Sequence, residues 1–307
     1  MQKLSTHAFA QAKEYIYEQG RALDQQRFEF HFEQGDAISV LMELVRYQNN
    51  DGGFGHGLEP DLRTPDSSAI ATATAFGILR EINAPASEPL IQRAVAYLRN
   101  SYAPNLGLWP IIPLEAENAP HAPWWSHAES EQNFGGFLVN PRAALVGYLH
   151  DYPGLVPASF LAQVTVDMLE HLATITPPVE MHELQCLVTL SESPYLPTVV
   201  RNALKPKLRQ LAPHTVAVEP EKWQSYALPP LGVISSPTAF LTAVIPASAI
   251  AANLDFLIEQ QLPDGSWPLA WNWAFVDEQA WAEAESDWKS HLALGNLLVL
   301  RAFGRLA

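Results

Sequence analysis

The chain has 307 residues, of which 48% are hydrophobic and 17% charged, so it can bury a sizeable core and lacks the composition of a disordered chain. Its net charge of −15 creates an acidic surface that repels phosphate backbones and anionic lipid, which excludes nucleic acid as an expected partner. A lone cysteine, Cys186, excludes an internal disulfide and a thiolate metal cluster.

The first residues, Met1-Gln2-Lys3-Leu4, lead to charge at Lys13-Glu14 without an apolar signal core, which points to a cytoplasmic protein. An opening helix is predicted from about Thr6 to Glu18. A second apolar face follows at helical spacing, with Leu41, Leu44 and Val45, and runs into Gln48-Asn49-Asn50-Asp51-Gly52-Gly53-Phe54. Asp-Gly ends that helix, because glycine accepts the left-handed backbone of an exit turn. The long loop Gly55 to Asp66 leads to a second helix containing Ile78-Leu79-Arg80.

Further helical pairs are predicted along the middle of the chain. Ile91 to Leu98 is followed by Leu108-Trp109, a long loop and Ala143 to Leu149. Phe160 to Leu172 is followed by a helix around Glu183 to Leu190, whose apolar stretch gives Cys186 the setting of a buried, inert thiol. Val199 to Leu211 is followed by a segment containing Trp223 and a short apolar helix. Pro157, Pro197 and Pro246 each precede a helix, where proline is well tolerated. The most apolar stretch, Leu231 to Ala252, is broken by Pro237 and Pro246 and is no ordinary membrane span, so no transmembrane segment is expected.

The final pair repeats the first. Leu254, Leu257 and Ile258 form an apolar face and run into Gln260-Gln261-Leu262-Pro263-Asp264-Gly265-Ser266-Trp267. Without a gap, Gln261 falls on Gln48, Asp264 on Asp51, Gly265 on Gly52 and Trp267 on Phe54. Val299-Leu300-Arg301 matches Ile78-Leu79-Arg80, and in that register Asp287 falls on Asp66. One helical hairpin cannot bury its own apolar face, so such units must stack. No alternating strand pattern competes. The predicted fold is all-α: five to six helical hairpins, with inner and outer helices, in one domain over residues 1–307.

The two sharp copies resemble the Gln-Trp repeat of squalene-hopene cyclases and their relatives, the terpenoid cyclases and protein prenyltransferases. The resemblance implies an α/α-toroid of one barrel's length, half that of a full triterpene cyclase. It further implies an apolar, isoprenoid-type small molecule, bound and open to transformation in a central pocket. Thr64-Pro65-Asp66-Ser67-Ser68-Ala69 is similar to the Asp-x-Asp-Asp region of class II terpene cyclases, with Asp66 in the place of the general acid and Thr64 and Ser67 where flanking acids stand. Asp66 also precedes an apolar helix, where a helix cap is the other role.

Three loops carry the candidate chemistry: Gly55 to Asp66, Pro120 to Arg142 and Trp267 to Asp287. Glu59 and Asp61 form a second acidic pair that splits into acid and base where the two environments differ. With Asp66 they are the candidate catalytic residues. His56, His121, Trp124, Trp125, Trp271 and Trp273 are the candidate substrate-binding residues, on the expectation that the three loops open on one end of the ring. Carboxylates beside aromatic platforms also suit a carbohydrate-active hydrolase or lyase, and a non-catalytic binding module is the third reading. No pair of histidines has metal-ligand spacing, the Asp-x-Cys of zinc prenyltransferases is missing around Cys186, and no phosphate-binding glycine loop is present, so no metal or cofactor is expected.

Overall fold

A computed structural model of the chain describes residues 2–127 and 140–307. Among the described residues the protein is all-α: eleven helices and no strand, with only isolated bridge pairs between loops. The helices are α1 (Thr6–Gln19), α2 (Ala22–Phe32), α3 (Ala37–Leu44), α4 (Ala69–Glu81), α5 (Pro89–Ser101), α6 (Arg142–Asp151), α7 (Ala158–Thr174), α8 (Met181–Ser191), α9 (Thr198–Thr215), α10 (Ala247–Glu259) and α11 (Glu278–Ala302).

Their starts follow from local chemistry. Ser5, Asp36, Ser68 and Asp277 each accept a backbone N–H of the first turn, capping α1, α3, α4 and α11. Pro157, Pro197 and Pro246 occupy the position just before α7, α9 and α10, and Pro89 opens α5. Burial separates two kinds of helix. On α6 every residue from Arg142 to His150 is buried, and α4 is buried on most faces. By contrast, α3 buries Val40 and Leu44 while Ile38 and Met42 face solvent. Helix α4 packs on α6, α6 on α7 and α8, and α9 on both α7 and α8, while α11 packs on α1 and α2 and so joins the two ends of the chain. The terminal strands of backbone also meet: Leu4 N donates to Arg305 O at 2.8 Å and Ala307 N to Leu4 O at 3.0 Å.

The repeat is the same object twice. Gln48 Nε2 donates to Gly52 O and, across to α5, to Leu90 O, both at 2.9 Å. Gln261 Nε2 donates to Gly265 O at 3.0 Å and, across to α1, to Ala8 O at 2.9 Å. Asp51 and Asp264 each accept the amide two residues on, at 2.9 Å. Gly52 and Gly265 have φ of 92° and 90°, and a Cβ there would stand 2.3 Å from Arg93 O and 2.2 Å from Gln11 O. Glycine is required twice over: for the left-handed backbone, and because the turn lies directly against the neighbouring helix. The ring that follows reaches back to its own hairpin. Trp267 Nε1 donates to Leu257 O at 2.7 Å, and in the weaker middle copy Trp109 Nε1 donates to Leu98 O at 2.6 Å.

The structure departs from the sequence reading in three places. Helix α2 pairs with α1 and lacks a strong apolar stripe, since its buried face includes Asp24 and Arg27. The segment after Trp223 holds short turns at Pro230–Gly232 and Phe240–Ala243 instead of a helix, in keeping with its prolines at 229, 230 and 237. Asp287 lies inside α11, whereas Asp66 lies in a loop two residues before the Ser68 cap. The match between them fails because α11 has 25 residues and α4 has 13.

Candidate functional site

The loop after the first repeat turn folds back on itself. His56 N donates to Thr64 O at 2.9 Å, and Leu62 N donates to Glu59 O at 3.1 Å, closing a tight turn with Pro60 at its first central position. This turn sets the Glu59 and Asp61 side chains beside each other. The second loop is laced to the first: Ala122 N donates to Asp61 O at 2.8 Å and Arg63 N to Pro120 O at 3.0 Å. The third loop arrives from the far end of the chain, and Trp273 Nε1 donates to Asp61 Oδ1 at 2.7 Å.

Around the two carboxyls the packing is aromatic and apolar. Leu62, Ile111, Ile112, Trp125, Trp273 and Trp281 form a buried cluster, with Trp124 and Trp271 against it. Trp273 meets Trp281 edge to face at 5.7 Å, and Trp271 meets Trp288 in the same way at 5.4 Å. Tyr226 stands edge-on to Trp271 at 6.1 Å, and its hydroxyl is 3.2 Å from His182 Nε2. Trp271 and Trp288 are half-buried and Tyr226 is exposed, so these three rings form a wall that solvent reaches.

Glu59 and Asp61 are 6% and 3% exposed, and among the described residues no cation closes an ion pair with either. Burial pushes the Asp61 carboxyl up to about 6; the indole N–H groups of Trp273, Trp288 and Trp271, and the charge of Arg63, act against the rise. Burial, then the Asp61 charge beside it, hold Glu59 well above the ordinary carboxylate range. Both carboxyls therefore hold a proton more tightly than an ordinary carboxylate. Among the described residues no hydrogen bond of normal geometry reaches Glu59 Oε2 or the buried indole nitrogens of Trp271 and Trp288.

Of the sequence-predicted site residues, Glu59, Asp61, Trp124, Trp125, Trp271 and Trp273 come together here. His121 sits at the edge, paired through its backbone with Leu62, and its Nδ1 is 2.7 Å from Ala119 O. His56 and Asp66 lie elsewhere. His56 is exposed, bonds Asn49 at 2.8 Å and lines an open groove with Arg63, Pro65, Pro120, Asp277 and Glu283. Asp66 is exposed and accepts from Thr64 Oγ1 at 3.0 Å; the cap of α4 is Ser68, so capping is not its role. The part of the second loop from 128 to 139 falls outside the described residues.

Sequence reasoning missed Trp288 and Tyr226. Trp281 and Trp288 are seven residues apart on α11, hence on one face, and that spacing was the available signal. It also missed a buried ion network beneath the wall. Arg21 Nε and Arg27 Nη1 each reach Asp24 at 2.8 Å, and Arg27 holds Glu81 with two bonds of 3.0 and 2.6 Å. Ser290 donates to Asp24 at 2.9 Å, and Arg63 pairs with Asp287 at 2.7 Å. His291, edge-on to Trp288, faces Arg27 Nη1 at 3.1 Å; burial, then the Arg27 charge, push its imidazole down to about 4. It is therefore neutral at pH 7 and accepts from Arg27. The signal for this network was the Arg21, Asp24, Arg27 spacing of three along α2.

Cys186 is buried and its thiol is pushed up to about 12 by burial, which makes it unreactive. Among the described residues no group of three or more His, Cys, Asp or Glu side chains could hold a metal ion, and no helix is long and apolar enough to cross a membrane. No protein-family model, curated protein or solved structure matches the chain.

Proposed function

We propose that this chain is a one-barrel α/α-toroid of the terpenoid-cyclase kind, that it binds a small, largely apolar molecule of isoprenoid type against the Tyr226–Trp271–Trp288 wall, and that Asp61 exchanges a proton with that molecule. The toroid reading is supported by the two repeat turns, each tying its glutamine to the next hairpin, and by the packing of α11 on α1. The chemical reading rests on one observation: two adjacent buried carboxyls of raised proton affinity lie beside indole rings, with no arginine or lysine paired to them among the described residues. A carboxyl that titrates near 6 can both give and take a proton close to neutral pH, which is what general acid–base catalysis asks of it. Glu59, buried beside it and likewise of raised proton affinity, works as the partner that opposes a second charge next to Asp61. Asp66, exposed and outside the aromatic shell, has no surroundings that support an acid's role.

The test is a ligand screen read by tryptophan fluorescence, followed by product analysis of whatever binds. An isoprenoid should quench the emission of the wall, and Asp61→Asn should bind it without converting it, because an amide has no acidic proton to exchange. Conversion that survives in Asp61→Asn, or a quench that survives Trp271→Phe and Trp288→Phe together, would overturn the assignment.

A further inference from the structure

The wall contains two buried indole N–H groups, those of Trp271 and Trp288, that close no hydrogen bond of normal geometry among the described residues. Both lie near enough to the Asp61 carboxyl to act against the rise in its proton affinity, and the two rings meet edge to face at 5.4 Å. Buried N–H groups left without a well-formed hydrogen bond are uncommon and unfavourable. Trp273 fixes the carboxyl from one direction at 2.7 Å. The other two indoles come close to it without closing a bond.

Resting on the site proposed above, we propose that the bound molecule presents an aliphatic hydroxyl that sits among these groups, accepting from Trp271 and Trp288 and donating to Asp61. The chemistry selects this headgroup by elimination. A hydroxyl oxygen has two lone pairs and one hydrogen, which matches two donors and one acceptor. A carboxylate or phosphate accepts from indoles equally well, but here it would meet the acidic Glu59–Asp61 pair in a site with little water to screen the repulsion. An ammonium has no lone pair for the indoles. A ketone accepts from both indoles but offers Asp61 no donor beyond the one Trp273 already supplies. A hydrocarbon leaves both indole N–H groups unsatisfied. The proton that Asp61 exchanges is then one on oxygen rather than on an alkene carbon, in keeping with a carboxyl whose proton affinity is raised and whose strength as an acid is correspondingly low.

An aliphatic hydroxyl occurs on an isoprenoid alcohol and on a sugar, and three probes separate the sources: geraniol, its hydrocarbon counterpart myrcene, and cellobiose. The readout is the set of indole N–H resonances of protein labelled with nitrogen-15 at tryptophan, assigned with Trp271→Phe and Trp288→Phe, alongside the dissociation constant of each probe. These variants keep an aromatic ring and lose the N–H donor together with the second ring of the indole. Geraniol should move the Trp271 and Trp288 resonances downfield and bind about tenfold more tightly than myrcene. Each single variant should reduce that preference by roughly threefold to tenfold, with an unchanged unfolding midpoint. Cellobiose moving the same two resonances while geraniol does not would uphold the hydroxyl and overturn the isoprenoid reading on which the site was proposed. Equal affinity for geraniol and myrcene with both resonances still would overturn the hydroxyl and leave the apolar site standing. No response to any of the three would overturn both.

Discussion

Replacing Asp61 with Asn removes one ionisable proton from the site while keeping the oxygen that receives the Trp273 N–H at 2.7 Å. In the native protein Asp61 titrates near 6, against 3.8 when unfolded. Over that interval the folded state holds more protons than the unfolded one, so stability falls as pH rises through the window and stays lower above it. A shift of this size corresponds to on the order of 3 kcal/mol at neutral pH, about half of it accruing between about pH 5 and pH 7.5. Asp61→Asn should therefore match the parent most closely near pH 5 and become more stable than the parent toward pH 7.5. The growing gap, on the order of 1.5 kcal/mol, is the signal. Loss of the neighbouring charge also relaxes Glu59 toward its ordinary range and widens the gap. His291, whose proton affinity is lowered by folding, contributes a slope of opposite sign in both proteins and cancels in the difference. Urea denaturation followed by circular dichroism across this range measures the gap directly. Parallel stability curves for the two proteins would refute the reasoning, and so would a parent that gains relative stability toward pH 7.5.

The repeat turns make a second test. Gly52→Ala and Gly265→Ala each force a side chain into left-handed backbone and to within 2.3 Å and 2.2 Å of a neighbouring carbonyl oxygen; each should cost about 2 kcal/mol or more by thermal or chemical melting. Gly107→Ala is the contrast, with φ of 65° but no atom closer than 3.5 Å to the added carbon, and should cost about 1 kcal/mol. A third test concerns Glu81, which Arg27 and His31 hold down to about 2 despite burial. Its contribution is present above the unfolded value of 4.5 and is lost as pH falls toward 2, the reverse of Asp61. Glu81→Gln should destabilise the protein by about 3 kcal/mol at neutral pH and flatten the acid limb of its stability curve, as measured by denaturant titration at a series of pH values.

The repeat was readable because each of its residues does one local job. Gln48 and Gln261 bridge two hairpins, Asp51 and Asp264 hold the turn, and the glycines admit the close approach, so the same chemistry forces the same letters twice. The loops were readable as rich in tryptophan and carboxylate, and Glu59, Asp61, Trp271 and Trp273 meet because backbone bonds lace the first loop to the second and Trp273 bonds Asp61 from the third. Other features depend on which way a helix faces, which is settled by distant neighbours. Trp288 turns toward Asp61 only because α11 packs on α1 and α2 in one rotation. Asp24 and Arg27 read as solvent-exposed charges on a weakly amphipathic α2 until α4 and α11 bring Glu81, Ser290 and His291 against them. Asp66 drew attention by resemblance, but its exposed place in the loop depends on where α4 begins, and Ser68 decides that.

Asp24 and Asp61 together isolate what makes the candidate site distinct. Both are buried, with exposures of 0% and 3%, and both accept hydrogen bonds at normal distances. Burial raises the proton affinity of each, yet Asp24 ends far below the usual carboxylate range and Asp61 ends well above it. The difference lies in the donors. Asp24 faces the guanidinium groups of Arg21 and Arg27, whose full charges outweigh the cost of desolvation. Asp61 faces indoles, which donate a hydrogen bond and carry no charge. An indole can orient a carboxyl and still leave its proton available, whereas an arginine fixes it as a permanent anion. Replacing the tryptophans around Asp61 with arginine-bearing neighbours like those of Asp24 would keep the carboxyl buried and bonded but abolish its titration near neutral pH. The aromatic shell is thus the chemical reason that Asp61 ends above the usual carboxylate range while the equally buried Asp24 ends below it.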